Sequence, residues 1–119
     1  MATILVVDDE SPILDLLRDV LEDEGHTVLA AHNGRAAFET ARQMQPDLVL
    51  SDVMMPVLDG VALSRLLRDE PATRGTVVIL MSAAQAPDLR AAGAVAFLGK
   101  PFAIDQVNAL IAAHLSSTV

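Results

Sequence analysis

A three-layer α/β domain around a parallel sheet is the fold class this sequence predicts. Short runs of Val, Ile and Leu alternate five times with segments of helical period. That order of elements belongs to α/β folds with right-handed crossovers. The runs are continuously apolar instead of alternating, as in strands covered on both faces. At 119 residues the chain is read as one domain, 1–119, long enough to bury a core without staples.

The first strand is expected at about 3–7. Ser11-Pro12 then supplies an N-cap and a proline at the first helical position. Ile13, Leu14, Leu16, Leu17, Val20 and Leu21 form the apolar stripe of this helix, and Gly25 stops it. A second strand at about 27–31 precedes a helix opened by Asn33-Gly34 and ended by Pro46, with Ala37, Phe38, Ala41 and Met44 inward. The third strand, about 47–51, is followed by a helix from about Gly60 to Asp69 carrying Val61, Leu63, Leu66 and Leu67. After the fourth strand, about 76–81, only Asp88 to Ala92 has room for a helix between Pro87 and Gly93. One turn, or two, is predicted there. A fifth strand at about 95–98 leads to the last helix, about Ile104 to Leu115, expected to bury Ile104, Val107, Leu110, Ile111 and Leu115.

Composition narrows the function. Sixteen acids against eight Lys plus Arg give a net charge of −8, a surface that repels phosphate backbones. Three Phe and no Trp or Tyr leave little to stack on bases, so direct nucleic-acid binding is not expected. Cysteine is absent, which excludes disulfides and thiolate metal sites. No run approaches the ~18 apolar residues of a membrane span, and without a basic region followed by an apolar stretch and a small-residue cleavage site at the N-terminus export is not expected. No membrane partner and a cytoplasmic location are therefore expected. His26, His32 and His114 follow no metal spacing and are read as surface residues. With no linker or second composition regime, the effector is expected to be a separate molecule, unless the chain is a fragment of something longer.

The chemistry lies at the strand ends. Ile4-Leu5-Val6-Val7 runs into Asp8-Asp9-Glu10, and Asp47-Leu48-Val49-Leu50-Ser51 into Asp52. The fourth run ends at Ser82 and the fifth at Lys100-Pro101. In a parallel sheet these ends share one edge, where α/β folds bind ligands. Three neighbouring carboxylates raise one another's pKa unless cations compensate, and Lys100 offers a single charge. A hard divalent ion answers the excess. One or two carboxylates, a backbone carbonyl and a phosphate oxygen suit Mg²⁺ better than Ca²⁺, and Mn²⁺ should substitute. A carboxylate is a competent nucleophile towards phosphorus, and the transfer needs mainly in-line placement and neutralised oxygens. Lys100 and the Ser82 hydroxyl are suited to take two of those oxygens.

Taken together, Asp8-Asp9, Asp52-x-x-Met55-Pro56-x-x-Asp59-Gly60, Ser82-Ala83, and Gly93-Ala94 leading to Lys100-Pro101-Phe102 resemble the receiver domain of two-component response regulators. The free-standing chemotaxis regulators belong to that family, and the resemblance covers nearly the whole chain. It implies a flavodoxin-like fold with strand order 2-1-3-4-5 and five helices. It implies that Asp52 accepts a phosphoryl group from a sensor histidine kinase or phosphotransfer protein and that a downstream effector protein reads the result. Asp9 and Asp52 would ligate Mg²⁺ directly with the Met54 backbone carbonyl, and Asp8 through water. Lys100 would hold a phosphoryl oxygen, Ser82 and Phe97 would form the switch pair, and the bond to Pro101 would be cis.

Some positions depart from the family pattern. The stretch from Ser82 to Lys100 is about four residues short, close to one helical turn, so a shortened fourth helix is expected. Phe97 stands where the family often has tyrosine. Neither Met54 nor Ala84, which flank the site, can orient an attacking water, so slow loss of the phosphoryl group, or a need for a phosphatase, is expected. Two other classes stay open: a receiver working as an adaptor without phosphorylation, and a haloacid-dehalogenase-type phosphatase. The latter wants a second aspartate where Glu10 stands and leaves Asp52 without a role.

Overall fold

Every strand residue from Ile4 to Val7 and from Leu48 to Asp52 is buried, which explains the unbroken apolar runs. The computed structural model describes residues 2–115. It contains β1 (Thr3–Val7), α1 (Ser11–Asp23), β2 (Thr27–Ala31), α2 (Gly34–Met44) and β3 (Leu48–Asp52). Then follow α3 (Gly60–Asp69), β4 (Val77–Ser82), α4 (Leu89–Ala92), β5 (Ala96–Gly99) and α5 (Ile104–Leu115). All strand pairs are parallel, in the order β2-β1-β3-β4-β5.

Successive strand residues point to opposite faces, so each run feeds two cores. Ile4, Val6, Leu48, Leu50, Ile79 and Met81 pack with Leu14, Leu17 and Leu21 of α1 and Val107 and Ile111 of α5. Leu5, Val7, Val49 and Leu80 pack with Ala37 and Ala41 of α2, Leu63 and Leu67 of α3, and Ala92 of α4. Truncating one of the fully buried leucines to alanine costs about 2–5 kcal/mol.

Register brings the strand ends level: Val7 pairs with Ser51, Asp52 with Met81, and Ser82 with Gly99. The ladder continues past the apolar runs, with Val53 N–H donating to Met81 O at 2.9 Å and Lys100 N–H to Ser82 O at 2.9 Å. Asp52 and Ser82 are thus the last residues of their strands. The apolar pattern alone ends both strands one residue earlier.

Helix starts follow local chemistry. The Asn33 and Asp59 side chains each accept a backbone N–H three residues on, from Ala36 and Ala62, at 2.8 Å. The start of α1 differs from the expectation: Glu10, not Ser11, is its N-cap, without a side-chain cap bond. Ile13 and Leu14 N–H both donate to Glu10 O, which begins the turn one residue sooner.

The fourth helix is a single turn of four residues, as the short segment predicts. Asp88 caps its start, and Gly93 at φ 81° closes its end. Arg65 Nε and Arg68 Nη1 of α3 donate to Ala91 O at 3.3 and 3.5 Å, tying this turn to its neighbour.

Four residues predicted to face inward are exposed: Leu16, Met44, Leu66 and Ile104. Leu16 and Leu66 lie at the margin of their stripes, about 100° per residue around the helix from the buried positions. Met44 and Ile104 are terminal residues, with no further turn to enclose them. His26 is a correction of the other kind. It is half-buried, and its Nδ1 accepts the Ala2 N–H at 3.2 Å.

Candidate functional site

Asp8, Asp9, Asp52, Ser82 and Lys100 lie together at the carboxyl edge of the sheet. Parallel pairing of β1 with β3 and of β3 with β4 sets the acids side by side. Lys100 directly follows β5, where its N–H continues the ladder to Ser82 O and its side chain reaches the acids, and the Lys100-Pro101 bond is cis. A cleft of about 360 Å³ opens here. Asp9, Glu10, Asp52 and Lys100 form its charged wall, and Met54, Ala83 and Ala84 line it beside Ser82.

Lys100 is the hub. Its Nζ lies 2.8 Å from Asp8 Oδ2, 3.3 Å from Asp52 Oδ1 and 4.0 Å from Glu10 Oε1. Asp8 is fully buried, and its other oxygen accepts the Glu10 N–H at 2.9 Å. Both Asp8 oxygens are therefore engaged within the protein. Asp52 is 5% exposed and keeps one carboxylate oxygen free of any protein partner among the described contacts. Ser82 is 2% exposed, and its Oγ accepts the Ala84 N–H at 3.0 Å, which orients it beside the cleft.

Electrostatics follow from this crowding. Burial raises the Asp52 pKa above the ordinary value, and the neighbouring Asp8 charge adds to it, while Lys100 opposes. Burial alone would lower the Lys100 pKa. The hydrogen bond and charge of Asp8, followed by those of Asp52, outweigh it and raise the value, so the ammonium persists.

The donor set fits a hard divalent cation. Carboxylate oxygens of Asp8, Asp9 and Glu10 come within 4.8 Å of one another, and every donor is oxygen. One ammonium leaves the cluster with excess negative charge. The sequence reading gives Glu10 no place here. Its signal is nonetheless present, as the third acid of an unbroken run at the same strand end.

Phe97 is apart from the cleft. It is half-buried against the α2/α3/α4 side of the sheet and borders a second groove with Leu98, Gln106 and Leu110. Met54 lines the cleft and is 69% exposed.

A doubly wound five-stranded sheet with an acidic, lysine-bridged cleft at its carboxyl edge defines a class of α/β signalling domains. The family model for the response regulator receiver domain matches residues 4–112, and the chain belongs to that family. Receiver domains are signalling modules that work with histidine kinases and downstream effectors.

Among relatives, the alkaline phosphatase synthesis transcriptional regulatory protein PhoP of Bacillus subtilis is 38% identical over 94% of this chain and 48% of its own length. The polar-differentiation response regulator DivK of Brucella anthropi is 29% identical over 95% of both chains. The chain thus spans about half the length of the first curated relatives and nearly all of others. Among solved structures, the receiver domain of the sensor histidine kinase PA1611 from Pseudomonas aeruginosa superposes with a TM-score of 0.89. It is 25% identical, with 97% of this chain and 98% of that one covered, and it holds a magnesium ion in its active-site cleft. Among the described residues, no helix is long and apolar enough to cross a membrane.

Proposed function

We propose that this chain is a phosphorylation-controlled switch in which Asp52 accepts a phosphoryl group from the phosphohistidine of a sensor kinase or phosphotransfer protein. The observation that carries this reading is the position of Asp52, with one oxygen 3.3 Å from Lys100 Nζ and the carboxylate at the floor of the acidic cleft. In the transfer, an Asp52 oxygen bonds to phosphorus as the phosphorus–nitrogen bond breaks, and the imidazole nitrogen departs with the electron pair. Lys100 is close enough to follow the transferred group while keeping its bond to Asp8. The Ser82 hydroxyl, whose oxygen accepts the Ala84 N–H, donates its own proton to a phosphoryl oxygen.

Mg²⁺, when bound, neutralises the oxygens of the transferred group. Asp9, Asp52 and the Met54 carbonyl would hold it directly and Asp8 through water. The full engagement of Asp8 by Lys100 and Glu10 supports that outer role. It also counts against a phosphatase of the haloacid-dehalogenase type, whose nucleophile would have to be Asp8.

Phosphorylation draws Ser82 towards the new oxygens and admits Phe97 into the vacated space, a shift between two packings. A separate partner protein reads that change. The test is incubation with Mg²⁺ and a small acyl-phosphate donor, followed by intact-mass measurement. The wild-type chain gains one phosphoryl group, and the gain is lost in Asp52→Asn and on chelation of the metal.

A further inference from the structure

Of the charged residues lining the cleft, Asp9, Asp52 and Lys100 have parts in the proposed transfer; Glu10, though its carboxylate lies within 4.8 Å of those of Asp8 and Asp9, is not among the residues proposed to hold Mg²⁺. Its side chain is 65% exposed, its Oε1 lies 4.0 Å from Lys100 Nζ, and it lines the same cleft as Asp52. The other residues lining the cleft, Met54, Ser82, Ala83 and Ala84, are uncharged. We propose that Glu10 is a specificity-determining residue that selects among phosphodonors by charge, disfavouring small, multiply anionic donors. The proposal rests on the reading of Asp52 as phosphoacceptor.

The argument is one of distance. A phosphoryl oxygen hydrogen-bonded to Lys100 sits about 3 Å from Nζ, hence within about 7 Å of the Glu10 carboxylate. At that separation a fixed charge changes the encounter by about threefold per unit of donor charge in bulk water, and by more at lower dielectric. Other surface acids act more weakly. Glu22, twelve residues along α1, is about 18 Å away, beyond the ~8 Å Debye length at physiological salt. A kinase-borne phosphohistidine brings its own protein surface, which can offset one carboxylate. A free acyl phosphate cannot.

The experiment compares Asp52 phosphorylation rates with acetyl phosphate, a dianion, and phosphoramidate, which carries less negative charge. Both are measured by intact mass at saturating Mg²⁺. Glu10→Gln is expected to raise the acetyl phosphate rate about threefold to tenfold, and Glu10→Lys to raise it further. The phosphoramidate rate should rise less, all gains should shrink with added salt, and Glu22→Gln should change nothing. Equal gains for both donors, no gain, or a gain that vanishes once Mg²⁺ saturates overturns the proposal and leaves the phosphoacceptor reading standing. A wild-type chain that takes no phosphoryl group on Asp52 from either donor removes that reading and this one with it.

Discussion

Gly60 is packed against the backbone of Asp52: a Cβ at Gly60 would overlap the Asp52 carbonyl oxygen and crowd Val53 Cα at 3.0 Å. The Gly60 N–H also donates to Val53 O at 2.9 Å. The start of α3 is thereby seated on the peptide group of Asp52, an approach only glycine permits. Gly60→Ala gains about 1 kcal/mol of helix propensity, but the neighbour that must yield is backbone at the end of a buried strand. Overpacking costs about 1–3 kcal/mol, towards the upper end where backbone must yield, which leaves a net loss of about 1–2 kcal/mol, a sizeable share of the ~5–15 kcal/mol typical of a domain. Denaturant titration measures that loss. Phosphoryl uptake should slow as well, because the displaced atoms carry Asp52.

Asp52 itself lowers the stability of the fold at neutral pH. Burial, then Asp8, raise its folded pKa above the unfolded value of 3.8. The folded state therefore holds a proton that the unfolded chain has released, and stability falls as pH climbs from 3.8 through the raised value. Above it the penalty is complete. Asp52→Asn removes it while Lys100 keeps Asp8 at 2.8 Å. The variant should melt higher than wild type at pH 7–8, with the difference closing towards pH 4. A wild-type chain that melts higher than the variant at pH 7.5 contradicts this assignment.

Why some of this is readable in one dimension is a matter of which forces act locally. Strands buried on both faces must be continuously apolar, so the runs from Ile4 to Val7 and from Val77 to Met81 stand out in the sequence. Acids and a lysine at the ends of such runs mark a rim. The short fourth helix is legible from Pro87 and Gly93. Strand order comes from the family resemblance, because periodicity carries no information on which strands pair. Glu10 escapes as a cleft residue because its significance lies in Lys100, ninety residues distant in sequence and 4.0 Å in space. The approach of Gly60 to Asp52 is hidden too: a glycine after an aspartate reads equally well as a turn.

Val57 is a backbone conflict that sequence does not display. It has φ 73°, and the Leu58 N–H donates to Pro56 O at 2.8 Å, which makes a three-residue γ-turn of the positive-φ kind. That region costs an L-residue about 1–2 kcal/mol. The residue is 78% exposed, so it regains little by packing. Val57→Gly relieves the strain and loses about 0.4–1 kcal/mol through a freer unfolded chain. The expected balance is a gain of about 0.5–1 kcal/mol, read as a higher urea midpoint at unchanged slope.

His26 should give the fold a pH dependence opposite in sign to that of Asp52. Burial lowers its pKa from 6.5, and its unprotonated Nδ1 accepts the Ala2 N–H at the start of β1. The unfolded chain takes up a proton near pH 6.5 before the folded state does. Stability therefore rises with pH through that region and is lost on acidification below it. Protonation also removes the acceptor, so it should loosen the edge where β2 meets β1. Melting at pH 5.5 and 7.5 tests this directly: His26→Gln should narrow the difference between the two, because its side chain does not titrate. A difference of the same size in the variant would assign the acid sensitivity to other groups.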